Sequence, residues 1–191
     1  MRRWNGWGDE GIEYSLPESA GRYLRERFGP GQKIPDAGQA AVLQSVPASR
    51  LPDHPYLRKD PLERLRHARG QSLPDWVALR SGEIGTFPDA VAFPEDDERV
   101  CELLRLAAET DALLIPYGGG TSVVGHINPL HKNGPTLTVD LSRIDRLLHM
   151  DAVSHTATFG AGVKGPQLEA QLNAAGSVSY THLTLPTNRE V

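Results

Sequence analysis

Cysteine is nearly absent from this chain: Cys101 stands alone among 191 residues. A single thiol excludes an internal disulfide, and the missing disulfide framework fits a reducing compartment such as the cytoplasm. Cys101 falls on the apolar side of a helical pattern and is expected to be a small buried hydrophobe. Aromatic residues are sparse as well, at 6%, and no basic patch interleaves with them, which argues against a nucleic-acid surface. The Arg-rich stretch from Arg58 to Arg69 also carries Asp60 and Glu63 and reads as a solvated helix face. No apolar run approaches the ~20 residues that span a bilayer. The opening M-R-R-W-N-G-W-G has no apolar core of the kind a signal peptide needs. Histidine pairs at H-x-x-x-H or H-E-x-x-H spacing are missing, so no metal site is expected. Neither a Cys–His pair nor G-x-S-x-G offers a nucleophile.

What the chain does have is glycine in one telling place. Residues 116–126 read P-Y-G-G-G-T-S-V-V-G-H. Gly118, Gly119 and Gly120 follow the apolar run Leu113-Leu114-Ile115, so a strand runs into a loop with no side chains to hold a ligand off. Successive amides in such a loop can turn inward and form an anion nest, and Thr121 and Ser122 add two hydroxyls. A diphosphate suits that cradle. The spacing is neither Gly-Lys-Ser/Thr nor G-x-G-x-x-G, and spacing alone leaves a tight glycine turn equally open. The same two readings apply to Gly160-Ala161-Gly162-Val163. His126 reads as a polar contact beside the loop, and Asp140 as the cap of a strand's turn.

Around the loop the pattern alternates strand and helix. Strands are expected at Ala90–Phe93, Ala112–Ile115, Leu137–Leu141, Ile144–Leu148 and His155–Phe159. Between the first two, Glu95, Asp96 and Asp97 place negative charge where a helix begins. Val100, Leu103, Leu104, Ala107 and Ala108 then make its apolar stripe. Strand, helix and strand in that order imply a right-handed crossover with parallel strands. Helices are further expected at Ser19–Phe28, where Tyr23, Leu24 and Phe28 share a face, at Pro61–Ala68, at Ser72–Leu79 and at Pro166–Ala175. Residues 37–53 read as linker or irregular structure, and Trp4 and Trp7 as two anchors on a neighbouring surface.

Several stretches together resemble the FAD-linked oxidases of the vanillyl-alcohol-oxidase and cresol-methylhydroxylase type, and within them the alkyldihydroxyacetonephosphate synthase branch. They are Trp4-Asn5-Gly6-Trp7-Gly8, Arg64 to Arg80, Phe87-Pro88-Asp89-Ala90-Val91, Ile115 to Ser122, Val139-Asp140-Leu141-Ser142, Gly160 to Val163 and Leu168-Glu169. The resemblance implies an α+β fold, a mixed sheet with flanking helices that forms the first part of an FAD-binding domain. Residues 1–85 would be an irregular and helical segment packing on it, and 86–176 the flavin domain. It implies FAD carried by Pro116, Tyr117, Gly118, Gly119, Gly120, Thr121 and Ser122, with a second approach from Gly160, Ala161, Gly162 and Val163 near the flavin ring. Relatives that attach flavin covalently carry a His directly after the glycines. Thr121 holds that place here, so the flavin is expected to be non-covalent. Arg69, near His67 and Ser72, is expected either to meet a phosphate or to form a structural salt bridge.

The activity implied is exchange of the acyl group of an acyl-dihydroxyacetone phosphate for a fatty alcohol, with a lipid-like substrate and a full-length homodimer. Oxidation of a 2-hydroxy acid such as lactate or glycolate is the alternative within the superfamily. A non-catalytic nucleotide-binding module is the alternative outside it. Acid–base residues are expected beyond residue 176. Finally, Val178 to Thr187, V-S-Y-T-H-L-T-L-P-T, reads as the translation of a sequencing-library transposon end, so 177–191 are expected to be an artefactual tail.

Overall fold

The computed structural model describes residues 3–32, 34–130 and 134–179. The expected tail therefore lies, from residue 180 onward, outside the described residues. The chain folds as α+β around a four-stranded mixed sheet, with a separate two-stranded hairpin.

The sheet is built from β1 (Leu57–Arg58), β2 (Ala90–Ala92), β3 (Leu113–Tyr117) and β4 (Thr136–Asp140), in the order β1-β2-β4-β3. β4 pairs in parallel with both β2 and β3, while β1 adds an antiparallel edge to β2. All five residues of β4 are buried, as a central strand covered on both faces requires. The crossover expected from β2 to β3 is present and its strands are parallel, but they are not neighbours, because the later strand β4 takes the place between them. β3 is an edge strand and carries Pro116. Its amides at Leu113 and its carbonyl at Tyr117 bond toward β4, so the alternate position tolerates a residue with no N–H.

One face of the sheet packs on α5 (Asp97–Glu109). Leu103 meets Ala90, Ala92, Leu137 and Val139, with Leu51 closing the cluster. Asp96 caps the helix by accepting from the Arg99 amide at 2.9 Å. The apolar stripe is narrower than its sequence pattern suggests. Leu103 and Ala107 are buried, but Leu104 is 52% exposed. Cys101 is exposed too, contrary to expectation. It lies two residues, and so about 200°, from the Leu103 contact line.

The opposite face of the sheet meets α3 (Pro61–Arg66) and the turn after it. Trp4 joins Val42, Leu65, Ala68, Leu79 and Ile84 in a second cluster, and Phe87 packs against it. Trp4 is thus an anchor, whereas Trp7 is 60% exposed and stands outside the buried clusters of the described residues. α4 (Leu73–Ser81) begins with a capping box between Ser72 and Asp75 and ends at Gly82, which takes a left-handed φ of 79°. The stretch expected as linker contains α2 (Gln39–Gln44), whose Val42 enters the Trp4 cluster. α1 (Glu18–Phe28) forms as the pattern suggests but buries no residue.

The hairpin joins β5 (Leu147–Asp151) to β6 (Thr156–Phe159), and α6 (Gly165–Ala174) lies beside it. The strand expected at Ile144–Leu148 starts three residues late, because the Ile144 backbone is occupied elsewhere: its carbonyl accepts from the Gly162 amide at 2.9 Å.

Candidate functional site

The parallel strands β2, β4 and β3 all point their carboxyl ends the same way. Ligands of open α/β sheets bind outside those ends. Both glycine segments singled out from the sequence are found there. The Tyr117 carbonyl accepts from the Leu141 amide at 2.9 Å, which ties the start of the first loop to the end of β4. A Cβ on Gly162 would fall 1.7 Å from the Leu141 carbonyl oxygen, and one on Gly160 would fall 2.2 Å from that of Ile144. The two segments therefore flank one turn, residues 141–144.

Their amides differ in what they have left to give. Gly160 and Gly162 donate to the carbonyls of Arg146 and Ile144, and Val163 donates to Gly160. These glycines are needed because backbone passes against backbone. Ala161 is the exposed member of the four. In the first loop the situation is reversed. Among the described residues, the amides of Gly118, Gly119, Gly120 and Thr121 donate to no protein acceptor. Gly118 and Gly119 are exposed, and a Cβ on Gly118 would meet nothing within 4 Å. Gly120 is buried and turns the chain with φ 68°, a region closed to most side chains. Four consecutive amides without a protein acceptor, three of them on exposed residues, are the kind of backbone arrangement that can receive an anion.

Behind the loop lies a group that the sequence left scattered. Tyr117 is 1% exposed and packs against His67 with the rings tilted by 53° and 4.4 Å between their centres. The His67 ring has an oxygen at each nitrogen: the Glu63 carbonyl 2.7 Å from Nδ1 and Asp140 Oδ2 3.0 Å from Nε2. Asp140 also accepts from the Ser142 amide at 2.8 Å, so it does cap the turn after β4. Burial pulls the Asp140 carboxyl upward, but hydrogen bonds from His67 and Ser142 outweigh it, and its pKa lies below the usual carboxylate value. Arg69 is structural. Its guanidinium donates to the Ile84 carbonyl and lies 3.9 Å from Asp75. His126 is exposed, with Nδ1 3.5 Å from the Ser122 hydroxyl.

The far end of the loop is fastened to the turn that opens α4. The Gln71 amide donates to the Ser122 carbonyl at 2.6 Å. Asn128 accepts from the Gly70 amide at 2.9 Å and donates to Asp75 at 2.6 Å. Nothing in the local sequence around Asn128 announces this role, and its partners lie 58 and 53 residues away. Gly70 gave the one hint, as a glycine two residues before an N-cap serine.

A family model described as an FAD binding domain matches residues 88–186, which is 99 of the 191 residues. The chain belongs to that FAD-binding domain family. The alkyldihydroxyacetonephosphate synthase of Dictyostelium discoideum is 29% identical over 216 residues, covering 94% of this chain and 35% of that protein. The synthase of Trypanosoma brucei brucei is 28% identical over 222 residues, 96% and 36% respectively. The mitochondrial D-lactate dehydrogenase (cytochrome) 1 of Saccharomyces cerevisiae is 31% identical over 90 residues, 47% of this chain. A solved alkyldihydroxyacetonephosphate synthase superposes with a TM-score of 0.73 at 26% identity, over 92% of this chain and 39% of that one. The chain thus spans about a third of the length of the curated relatives it matches. FAD is its cofactor. Among the described residues, no helix is long and apolar enough to cross a membrane.

Proposed function

We propose that this flavin domain serves an enzyme of the alkyldihydroxyacetonephosphate synthase type, which exchanges the acyl group of an acyl-dihydroxyacetone phosphate for a fatty alcohol. The observation that carries the reading is the cradle of four free amides at the carboxyl end of β3, in a chain similar to two such synthases over more than nine-tenths of its length. The bound flavin supplies an electrophilic ring that can take and return electrons, so the exchange needs no net oxidation. The chain's own residues bind and orient. Gly118, Gly119, Gly120 and Thr121 donate backbone hydrogen bonds to the diphosphate, and Thr121 and Ser122 add hydroxyls. Pro116 and Tyr117 fix the strand end from which the loop springs. Gly160, Ala161, Gly162 and Val163 would supply a second backbone approach to the cofactor, near the flavin ring.

Thr121 stands where a covalently linked flavin would need a histidine, so the flavin is held non-covalently. Acid precipitation of the whole protein then releases all flavin to the supernatant; colour retained in the pellet overturns this. We further assign residues 1–85 as a segment packing on a flavin domain that begins at residue 86. The whole protein works as a cytoplasmic homodimer on a lipid-like substrate.

Oxidation of a D-2-hydroxy acid is the second reading, favoured by the similarity to the yeast D-lactate dehydrogenase over about half the chain. Anaerobic addition of D-lactate to the whole protein separates the two. Bleaching of the flavin supports the oxidase reading. Incorporation of a labelled fatty alcohol with an unbleached flavin supports the exchange.

The cradle itself is tested by Gly118→Val. The new side chain projects into open space, so stability should change by no more than about 0.5 kcal/mol. FAD affinity should fall at least tenfold, by roughly 1.4 kcal/mol. Thermal melts and an FAD titration of the same samples read both. Unchanged affinity would remove the loop from the site.

A further inference from the structure

The four free amides lie between two tethers, the Tyr117 carbonyl bonded to the Leu141 amide at the near end and Ser122 at the far end; the far tether is the one that comes from another part of the chain. Its holder comes from outside the 88–186 flavin match: the turn 70–75, in the segment before the domain. A Cβ on Gly70 would meet the Ser122 carbonyl oxygen at 2.4 Å, so turn and loop are in backbone contact. Asn128 spans the junction, with its Oδ1 taking the Gly70 amide and its Nδ2 donating to Asp75 Oδ1. Asp75 is 2% exposed. Its other oxygen receives the Ser72 hydroxyl at 2.6 Å and the Ser72 amide at 3.2 Å. Asn128 also donates its own amide to the Gly125 carbonyl at 3.0 Å, closing the loop on itself. Every polar atom of the Asn128 amide group thus has a partner on the turn, and the buried carboxylate at the turn's centre is bonded on both oxygens. A network satisfied in this way specifies one geometry.

We propose that Asn128 and Asp75 are positioning residues that latch the diphosphate loop to the 70–75 turn, making the N-terminal segment part of the flavin site. The proposal rests on the flavin reading of the loop. The latch acts through the loop backbone: it holds Ser122 against Gln71, and thereby fixes the direction in which Gly118 to Thr121 present their amides. Preorganised donors bind an anion more tightly than donors that must be ordered on binding. Affinity, not cofactor identity, is therefore what the latch controls.

The test compares the 191-residue chain with Asn128→Ala, Asn128→Asp and the exchange variant Asp75→Asn/Asn128→Asp. In Asn128→Asp two carboxylates face one another. In the exchange variant the same hydrogen bonds can form with donor and acceptor reversed: residue 75 donates to residue 128, which still accepts from the Gly70 amide. Expected is a loss of about tenfold or more in FAD affinity for both single variants, the size of one lost hydrogen bond to a charged group. The exchange variant should return most of it. Amide hydrogen exchange of the ligand-free proteins is read alongside. The latch predicts faster exchange at Gln71 in the single variants, and wild-type protection in the exchange variant. Protection in the core strands β2 and β4 should stay unchanged throughout. Single variants that bind FAD as tightly as wild type overturn the proposal, and so does an exchange variant no better than Asn128→Asp. Should the wild-type chain itself take up no FAD, the flavin reading falls while the exchange data still decide the latch. Equal Gln71 rates in all four proteins would then sink it.

Discussion

Asp89 shows how much a single carboxylate can organise. It sits at the entry to β2, 3% exposed. It takes the Arg50 guanidinium in a fork at 2.9 and 2.7 Å, the Arg50 amide at 2.9 Å and the Thr136 amide at 2.7 Å. Burial raises its pKa, but these donors outweigh burial and leave it below the usual carboxylate value. Asp140 is lowered in the same sense. A carboxylate whose folded pKa is lowered contributes its full stability above the unfolded value, near 4, and loses it as the pH falls through the folded value. The thermal midpoint should therefore hold between about pH 5 and 7 and drop below about pH 4. Asp89→Asn should flatten that acid limb while lowering the midpoint at pH 7. A limb parallel to wild type, measured by calorimetry across the range, would mean that Asp89 does not carry it. At this scale the sequence was partly legible. The turn-capping role of Asp140 and the N-terminal acids of α5 follow from local rules. The pairing of Asp140 with His67 does not, because 73 residues separate them.

Elements were legible in proportion to their length and periodicity. Residues 90–117 read correctly as strand, helix and strand because thirteen residues of α5 give more than three turns of signal. α2 and β1, six and two residues long, fall below what a period can reveal. Periodicity also overstated the buried face of α5. All five positions of the stripe are apolar, yet tertiary packing selects Leu103 and Ala107 and leaves Leu104 in solvent. The difference is measurable. Leu103→Ala should cost about 3 kcal/mol, the range for emptying a packed core site. Leu104→Ala should cost no more than about 0.5 kcal/mol, as at ordinary surface positions. Equal losses in chemical denaturation would show that the helix face has been assigned wrongly. α1 gives the opposite lesson. Its apolar spacing is real, but Tyr23, Leu24 and Phe28 are 54%, 43% and 80% exposed, so a correct helix assignment carried no information about what the helix packs on.

Across the whole molecule, apolar surface is left open in several places. Tyr14, Phe28, Ile34, Val124 and Val153 are each at least 75% exposed. The β5–β6 hairpin is a sheet of two strands with unpaired outer edges among the described residues. Isolated two-stranded sheets are marginal, and free edges invite pairing with another chain. The 191-residue chain should accordingly self-associate. Sedimentation velocity is expected to show a weight-average mass rising above 20.8 kDa with concentration. A monomer at every concentration would show that these surfaces are benign. Whole-chain topology was the least legible level, since the sequence implies a crossover but not which strand comes to lie between β2 and β3.

That placement of β4 bears on the order of events as the chain is made. β1, β2 and β3 leave the ribosome before β4, so β2 can pair only with the two-residue β1 and β3 has no partner strand. The strand that bridges them is residues 136–140. Until it arrives, the glycine loop hangs from an unpaired strand, and the turn at 141–144 that both glycine segments flank does not exist. Non-local pairing of this kind is slow compared with helix formation. On the proposed reading of the loop, FAD capture would wait for β4, and a nascent chain stalled before residue 136 would present the glycine loop on an edge without its partner strand.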